Sequence, residues 1–309
     1  MADSDWPRLD SPNFLDTTAS LQLWTQIVGK IRLALSPMIN HWWQVPLYVS
    51  ARGLTTSPMP VGDGRVLDIE FDFIDHRLVS RSSAGVVDSI PLSECALSSF
   101  YARVMSSLAK LDIVVVINPV SVEMPEAVHL ARDPRACSYD ADWVRRFFGA
   151  LVRIDAVLKR FRGRFQGKAS PVHFFWGALD LAVTRFSGRT APAHPGGIPH
   201  VADAVMREAY SHEVSSAGFW PGDARFAEAA FYAYAYPEPA GFKDAPVRPD
   251  AARFDKSLGE FVLPYAAVRA ARDPEADLLA FLDTTYAAAA DLGRWDRRAL
   301  ERPPQAVAT

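Results

Sequence analysis

Apolar residues recur at three- and four-residue intervals in four segments, and this spacing predicts four amphipathic helices. The apolar positions are Leu21, Trp24, Val28, Ile31 and Leu35; Leu97, Tyr101, Val104 and Leu108; Trp143, Phe147, Leu151, Ile154, Leu158 and Phe161; and Leu278, Leu282, Tyr286 and Leu292. Ser36-Pro37 ends the first helix, because the residue before proline avoids helical backbone. Ser93 is the expected N-cap of the second helix. Asp273-Pro274 and Gly293 bound the last one.

Shorter segments alternate between apolar and polar residues or are rich in β-branched and aromatic residues, which predicts strands. The predicted strands are 41–49, 66–73, 77–81, 86–90, 113–117, 179–186, 231–236 and 260–263. In 66–73 the acids Asp68, Glu70 and Asp72 occupy one face, which is typical of the solvated face of a sheet. In 231–236 three tyrosines share a face, which indicates either packing or stacking on a ligand.

The order of these elements predicts an α+β protein made of two similar halves, each a helix, an antiparallel sheet and a helix. We expect a flexible arm at 1–15, the first half at 16–130, the second at 140–300 and a flexible tail at 301–309. The halves share an order of motifs, which are Ser36-Pro37, His41-Trp42-Trp43 and Arg52 in the first and Ser170-Pro171, His173-Phe174-Phe175-Trp176 and Arg185 in the second. A pseudo-twofold internal duplication predicts such an order, although unrelated α+β segments also share it by chance.

Composition narrows the class of protein. The chain has 309 residues, 33 basic and 36 acidic side chains, and 49% hydrophobic residues, which is the balance of a soluble globular protein. A pI near 6.2 gives no general electrostatic attraction for nucleic acid. No apolar segment is long enough to span a membrane, and the first residues lack the basic start of a signal peptide. Two distant cysteines, Cys95 and Cys137, favour a reducing cytoplasm over a disulfide framework.

The segment 207–222 holds the densest mixture of titratable, small and aromatic residues in the chain. A surface loop rarely contains this many aromatic side chains, so we expect the segment to form a pocket wall. His212 and Glu213 are the candidate acid–base groups, and Tyr210 and Trp220 are candidate wall residues. The alternative is a strand with one partnered core histidine.

A second cluster follows His173 and includes Trp176, Asp180, Arg185 and Arg189. An aspartate between apolar neighbours needs a partner when it is buried, and an arginine can supply one. Arg189 precedes a loop rich in proline and glycine and is the candidate anchor for an anion. The alternative is an ion pair with a purely structural role.

Other chemistry has weaker support. The segment 145–168 is strongly basic, which indicates either a solvated helix face or a surface for an acidic partner. Histidines His41, His173 and His212 are suitable metal ligands, but no motif with metal-ligand spacing is present, so no cofactor is predicted. The phosphate-binding glycine loops, the serine-hydrolase elbow and the kinase signatures are also missing from the sequence.

Several long segments together resemble an uncharacterised bacterial family, a domain of unknown function. The resemblance covers nearly the whole chain and is carried by His41-Trp42-Trp43-Gln44-Val45-Pro46-Leu47-Tyr48-Val49, Phe71-Asp72-Phe73-Ile74-Asp75-His76-Arg77-Leu78, His173-Phe174-Phe175-Trp176-Gly177, Phe186-Ser187-Gly188-Arg189 and the segment 210–222. It implies a bacterial cytoplasmic protein with one architecture. It implies no activity, cofactor or catalytic residue.

These observations predict an enzyme that acts on a small organic molecule, with an anion as one option, in a pocket between the halves. His212 is the expected acid or base, and Glu213 or Asp180 is the carboxylate that orients it. Arg189, Trp176, Trp220, His173, Tyr210 and His41 are expected to bind the substrate. The alternatives are a non-catalytic binder of an apolar or aromatic molecule and a protein-interaction module. The sequence does not determine the oligomeric state.

Overall fold

The structure is a computed structural model that describes residues 6–10, 12–198 and 200–303, and it has the predicted α+β architecture. The helices are α1 (Pro12–Leu35), α2 (Leu97–Lys110), α3 (Ala141–Gly163), α4 (Asp203–Ala209), α5 (Tyr265–Ala270), α6 (Pro274–Leu292) and α7 (Arg297–Leu300). Helix α1 ends before Ser36-Pro37, and α6 lies between its N-cap Asp273 and its C-cap Gly293, as predicted. The N-cap of α2 is Ala96 rather than Ser93. None of the described helices is long and apolar enough to cross a membrane.

Antiparallel pairing joins the strands into two large sheets and one small one. The strands are β1 (Tyr48–Val49), β2 (Gly53–Thr55), β3 (Met59–Pro60), β4 (Val66–Asp72), β5 (Arg77–Ser82), β6 (Val87–Pro91), β7 (Cys95–Ala96), β8 (Ala136–Cys137), β9 (His173–Phe175), β10 (Asp180–Thr190), β11 (His212–Trp220), β12 (Ala230–Tyr236), β13 (Arg253–Asp255) and β14 (Glu260–Pro264). The first sheet has the order β1-β2-β4-β5-β6, with β3 paired to β4, and the second has the order β13-β14-β12-β11-β10-β9.

The first sheet has one buried face and one polar face. Leu67, Ile69 and Phe71 alternate along β4 and have no exposed surface, so they form the core under this sheet. The acids between them lie on the other face, as the alternation predicts. Arginines from β5 and from the β1–β2 turn pair with these acids.

Among the described helices, the long ones cover one face of the second sheet and leave the other face uncovered. Helices α3 and α6 pack against β10, β11 and β12, where Leu181, Phe219 and Phe231 are fully buried. The edges of the two large sheets meet where the backbones of Leu47 and Phe174 exchange both hydrogen bonds. This pairing brings the two halves together beside the uncovered face of the second sheet. A duplication of the halves stays a prediction.

Two predicted strands are wrong. The segment 41–49 starts in a short turn, Asn40–Trp42, in which His41 and Trp42 have left-handed backbone angles that interrupt a strand. Only Tyr48–Val49 forms a strand. The segment 113–117 is extended but pairs with no strand among the described residues. Its apolar side chains alternate between the core and solvent. An extended segment that buries every second residue has the same sequence pattern as a strand, even without a partner strand.

The ends of the described chain pack against the body of the protein. Trp6, inside the predicted arm, is 2% exposed and contacts the rings of Phe231 and Tyr265. Glu301, inside the predicted tail, forms a bridge with Phe165. The rest of the arm at 1–5 and 11, and of the tail at 304–309, lies outside the described residues.

Two side-chain features bear on the sequence hypotheses. The basic face of α3 has partners within the chain, because Arg160 pairs with Glu275 and Arg164 pairs with Asp283 on α6. The two cysteines are distant in sequence but lie directly opposite each other in β7 and β8, and both are free thiols.

Candidate functional site

A cavity of about 630 Å³ lies on the uncovered face of the second sheet. Its floor is formed by side chains of β10, β11, β12 and β14, and the segments 41–45 and 194–210 cover it. Both halves contribute, since His41, Trp42, Trp43, Val45 and Glu123 come from the first half. The remaining lining residues are Phe175, Ala178, Asp180, Ala182, Thr184, Phe186, His194, Ile198, Val201, Val205, Met206, Ala209, Tyr210, Val214, Ser216, Trp220, Phe226, Ala230, Tyr232, Tyr234, Ala235, Tyr236, Leu258, Gly259, Glu260 and Val262. The lining is mostly apolar and aromatic, which is typical of small-molecule sites.

Asp180 begins β10 and accepts a hydrogen bond of 2.5 Å from the Tyr232 hydroxyl. The two residues are not on adjacent strands, because β11 lies between β10 and β12. Gly218 of β11 makes the contact possible. A Cβ atom at this position would lie 2.6 Å from the Tyr232 hydroxyl oxygen, so any side chain there would displace the tyrosine. Because Gly218 has no side chain, the Tyr232 hydroxyl can lie over β11 and contact the Asp180 carboxylate.

Glu123 enters the cavity from a loop of the first half. Its carboxyl group rests on Gly177, where an added Cβ atom would lie 2.1 Å from Oε1. Glu123 as a whole is an exposed residue, although protein atoms crowd its carboxyl group. Glu260, at the start of β14, enters from the opposite edge of the sheet. Neither glutamate has a hydrogen bond or an ion pair with any described residue.

The pKa values of all three carboxyl groups are raised. Burial raises the pKa of Asp180 to about 6, and the hydrogen bond from Tyr232 opposes part of this rise. Burial, together with the charge on Asp180, raises the pKa of Glu123 to about 7 and that of Glu260 to about 7. Near neutral pH the group therefore contains both protonated and ionised carboxyls, which is a useful state for acid–base chemistry.

Hydroxyl groups form a second polar feature of the floor. The hydroxyls of Tyr210 and Tyr234 are 2.6 Å apart, and those of Thr184 and Ser216 are 2.9 Å apart. Burial raises the pKa of Tyr234 to about 12 and those of Tyr210 and Tyr232 further. These tyrosines therefore remain neutral hydrogen-bond donors over the whole physiological range.

His41 lies at the rim of the cavity. Its Nδ1 is 3.1 Å from the carbonyl oxygen of Ala209, and its Nε2 is 2.5 Å from Nζ of Lys168. A carbonyl oxygen only accepts and an ammonium only donates, so Nδ1 carries the proton and Nε2 accepts. Burial and the nearby Lys168 lower the pKa of His41, which keeps the ring neutral.

Charges of one sign dominate the cavity. Its described lining contains three carboxyl residues and two histidines but no lysine or arginine. Across the described ranges, no group of three or more His, Cys, Asp or Glu side chains has an arrangement that could hold a metal ion.

The structure brings four of the predicted site residues together: Asp180, Tyr210, Trp220 and His41 line the cavity. His212 lies behind the wall, where its ring contacts that of His41 at a centroid distance of 5.6 Å. The three remaining substrate-binding candidates and Glu213 lie outside the described lining.

Glu213 and Arg189 pair with each other rather than with His212 or a ligand. The Arg189 guanidinium donates to Oε2 of Glu213 and also to the backbone carbonyls of Gly293 and Arg294, at the end of α6. Neighbours on a strand point to opposite faces, so His212 and Glu213 diverge.

Trp176 and His173 are packed against other residues of the chain. Trp176 packs on Gly29 of α1, and its Nε1 donates to the carbonyl oxygen of Val45. His173 is buried among the rings of Trp43, Tyr48 and Phe175. Burial lowers the pKa of His173 to about 3, so this residue stays neutral.

The sequence analysis did not propose Glu123 or Glu260 as site residues, and it raised Tyr232 and Tyr234 only as part of a stripe that either packs or stacks on a ligand. For three of them a signal exists, since alternation places Tyr232 and Tyr234 on one face and Glu260 with Val262 on another. The turn at 176–179 places Asp180 at the start of β10, near these faces. Tyr232 reaches Asp180 from β12 across the intervening strand β11. Glu123 has no local signal, because only the tertiary fold brings its loop to the sheet.

Comparisons with known proteins give one result. Neither the curated proteins nor the solved structures contain a match to this chain. A family model matches residues 6–302, which is nearly the whole chain. The protein therefore belongs to DUF5996, a family of unknown function.

Proposed function

We propose that this protein is an enzyme that acts on a small organic molecule by acid–base chemistry, with the cavity on the second sheet as its active site. The observation that carries the proposal is the convergence of three carboxyl groups with raised pKa values in one largely apolar cavity. Perturbed titratable groups in a concave apolar site favour catalysis over simple packing.

The proposal assigns different roles to the three carboxyls. Asp180 has the lowest pKa of the set and accepts the Tyr232 hydrogen bond, which stabilises its ionised form. It is the proposed general base. Glu123 and Glu260 are more readily protonated near pH 7, and the one that faces the leaving or developing anionic group acts as general acid.

The proposal replaces the histidine–carboxylate pair expected from the sequence with a set of carboxyls. Burial and the nearby Lys168 lower the pKa of His41 and keep it neutral, so it serves as a rim contact for substrate. The hydroxyl pair of Tyr210 and Tyr234 is the proposed donor to a substrate oxygen, because both groups remain neutral and one of their two protons is not used between them. A cytoplasmic location is part of the proposal and rests on the low cysteine content.

The test works with an unidentified substrate. The purified protein is incubated with a bacterial metabolite extract, and mass spectrometry follows metabolites that decrease while others increase. We expect at least one such pair with the wild type. The pair should be lost, or its rate reduced by 100-fold or more, in Asp180→Asn.

Asp283→Asn provides the matched control, since Asp283 is an exposed carboxylate paired with Arg164 outside the cavity. Its rate should equal that of the wild type. The proposal is contradicted when no metabolite changes with the wild type, or when Asp180→Asn converts the same metabolite at an unchanged rate.

A non-catalytic binder of an aromatic molecule is the second candidate. The aromatic and aliphatic side chains that make up most of the lining favour it. Binding of an extracted metabolite at stoichiometric ratio, with no chemical change over long incubation, is the result that separates this candidate from the enzyme.

A further inference from the structure

The cavity contains acids without a counter-charge. Glu123 and Glu260 lie within it, and no described residue donates a hydrogen bond to either carboxyl or pairs with it. Among the described residues, Asp180 is the one charged group that affects the pKa of either glutamate, and it has the same sign. Unpaired carboxylates in a cavity of low polarity are costly, so a ligand that supplies positive charge would gain a large interaction there.

The aromatic walls suit the same ligand. Trp43, Trp220, Tyr232 and Tyr234 line the cavity together with several phenylalanines, and an ammonium is attracted to the faces of such rings. The rings of Tyr232 and Tyr234 are nearly parallel, with an interplanar angle of 13°. They present one continuous aromatic surface on β12.

The chain already holds one ammonium in this way at the rim. Nζ of Lys168 lies 5.4 Å from the ring centre of Trp43 and 5.0 Å from that of Phe186, and both rings line the cavity. This contact shows that the rings of this wall accept a cation at cation–π distance. The interior, which holds the carboxyls, has no such cation of its own among the described lining residues.

We propose that the substrate of this cavity is an organic cation, a molecule with a protonated amine attached to an apolar or aromatic body. Glu260, which lies beside Tyr232 and Tyr234, binds the ammonium, and the aromatic walls cover the apolar body. Asp180, Tyr232 and Glu123 are left free for chemistry. The inference rests on the proposed function for the identity of the site, and it replaces the anion that Arg189 suggested in the sequence.

Binding of a cation has a measurable consequence for protons. Near pH 6.5 part of the carboxyl population is protonated, and an ammonium stabilises the ionised form. Binding must therefore release protons. The groups that face these carboxyls are Asp180, Tyr210, Tyr232 and Tyr234, and the tyrosines stay neutral in this range, so the released protons come from the carboxyls.

The test compares three probes of similar size: 2-phenylethylamine, 2-phenylethanol and phenylacetate. Isothermal titration calorimetry at pH 7.5 should show that the amine binds at least tenfold more tightly than the alcohol and that phenylacetate does not bind. At pH 6.5, titrations in phosphate and in MES should differ in apparent enthalpy, which reports the released protons. Equal or tighter binding of the alcohol or of phenylacetate overturns the inference.

Variants test whether the preference for the amine over the alcohol depends on the carboxyls. Glu260→Gln should reduce amine affinity at least fivefold, Glu123→Gln should reduce it less, and both should leave alcohol affinity unchanged. Glu213→Gln is the matched control, since Glu213 pairs with Arg189 outside the cavity, and it should bind the amine like the wild type. An amine preference that survives the Glu123→Gln, Glu260→Gln double variant overturns the assignment. Circular dichroism verifies that each variant is folded.

The two proposals fail separately. If the amine binds as expected but no metabolite is converted, the cation site stands and the enzymatic proposal fails. If a neutral or anionic metabolite is converted in an Asp180-dependent manner while 2-phenylethylamine does not bind, the enzyme stands and the cation inference fails.

Discussion

Three carboxylate side chains lie together on the polar face of the first sheet, and three line the cavity on the second sheet, but their surroundings are opposite. On the first sheet, Arg81 pairs with both Asp68 and Glu70, and Arg52 pairs with Asp72. In the cavity of the second sheet no lysine or arginine lines the described wall beside Glu123, Asp180 and Glu260. The number of acids is the same, and only the counter-charges differ.

The pKa values follow this difference. Asp72 is largely buried, but the hydrogen bond from Arg52 and those from the backbone outweigh burial and lower its pKa. Burial dominates at Asp180, Glu123 and Glu260 and raises the pKa of each. Acids that are neutralised within the chain stabilise a fold, whereas acids left without a partner in a cavity are available to a ligand. The comparison therefore favours the second sheet as the functional one.

The largest expected effect is on substrate turnover, and it should occur only when a carboxyl of the cavity is changed. Asp180→Asn should lower substrate turnover by 100-fold or more, because it removes the proposed base. Asp72→Asn on the first sheet should leave turnover within twofold of the wild type. The measurement is the initial rate with the metabolite found in the extract, and comparable losses in both variants would contradict the assignment.

The dependence of stability on pH should also differ between the sheets. In the folded protein the pKa of Glu260 is raised to about 7. Its contribution to the free energy of unfolding is therefore fully present below the pKa of a glutamate in the unfolded chain, near 4, and is lost as the pH rises through about 7. For Asp72 the folded pKa is lowered, so its contribution is present above pH 4 and is lost as the pH falls through the lowered value.

Glu260→Gln should therefore make the protein more stable than the wild type at pH 8, by up to about 3 kcal/mol, with little difference at pH 4. Asp72→Asn should be destabilising at pH 7 and nearly neutral at pH 2. Urea unfolding at several pH values measures both. A Glu260→Gln curve parallel to that of the wild type across pH 4–8 would refute the raised pKa.

Arg81→Ala tests the structural role of the first sheet. It leaves Asp68 and Glu70 without their shared cation and should lower the free energy of unfolding by about 1–2 kcal/mol. Amine binding in the cavity should not change. An equal loss of binding affinity in this variant would show that the two sheets are not independent.

The smallest expected effect concerns Gly218. In Gly218→Ala the new methyl group displaces the Tyr232 hydroxyl from Asp180, so the pKa of Asp180 should rise above about 6. Tyr232→Phe should produce the same rise without a change in the backbone. Agreement between the pH–rate profiles of the two variants supports the positioning role of the glycine, and an unchanged profile in both argues against it.

Local pattern predicted much of the fold. The alternation in β4, β5 and β12 and the bounds of α1 and α6 follow directly from side-chain spacing, proline and glycine. The segment at 41–49 failed because two successive residues adopt left-handed backbone angles that no composition rule indicates. The prediction of a strand at 113–117 failed because side chains can be buried alternately without a partner strand.

The site was harder to predict than the fold. Clusters of titratable and aromatic residues in the sequence pointed to Asp180, Tyr210, Trp220 and His41, which line the cavity. Glu123 and Glu260 were missed because they reach the cavity from segments far from Asp180 along the chain. The pairing of Glu213 with Arg189 was also hidden, since it depends on the register between β10 and β11 and on the end of α6.

The central claim is that the carboxyls of the second sheet lack a counter-charge and titrate near neutral pH. Carbon-13 NMR of the Asp and Glu side-chain carboxyls, followed from pH 3 to pH 9, tests it directly. We expect three carboxyl signals with midpoints between about 6 and 7, each lost in one of Asp180→Asn, Glu123→Gln and Glu260→Gln. If the signals assigned by these variants titrate below pH 5, the claim is contradicted.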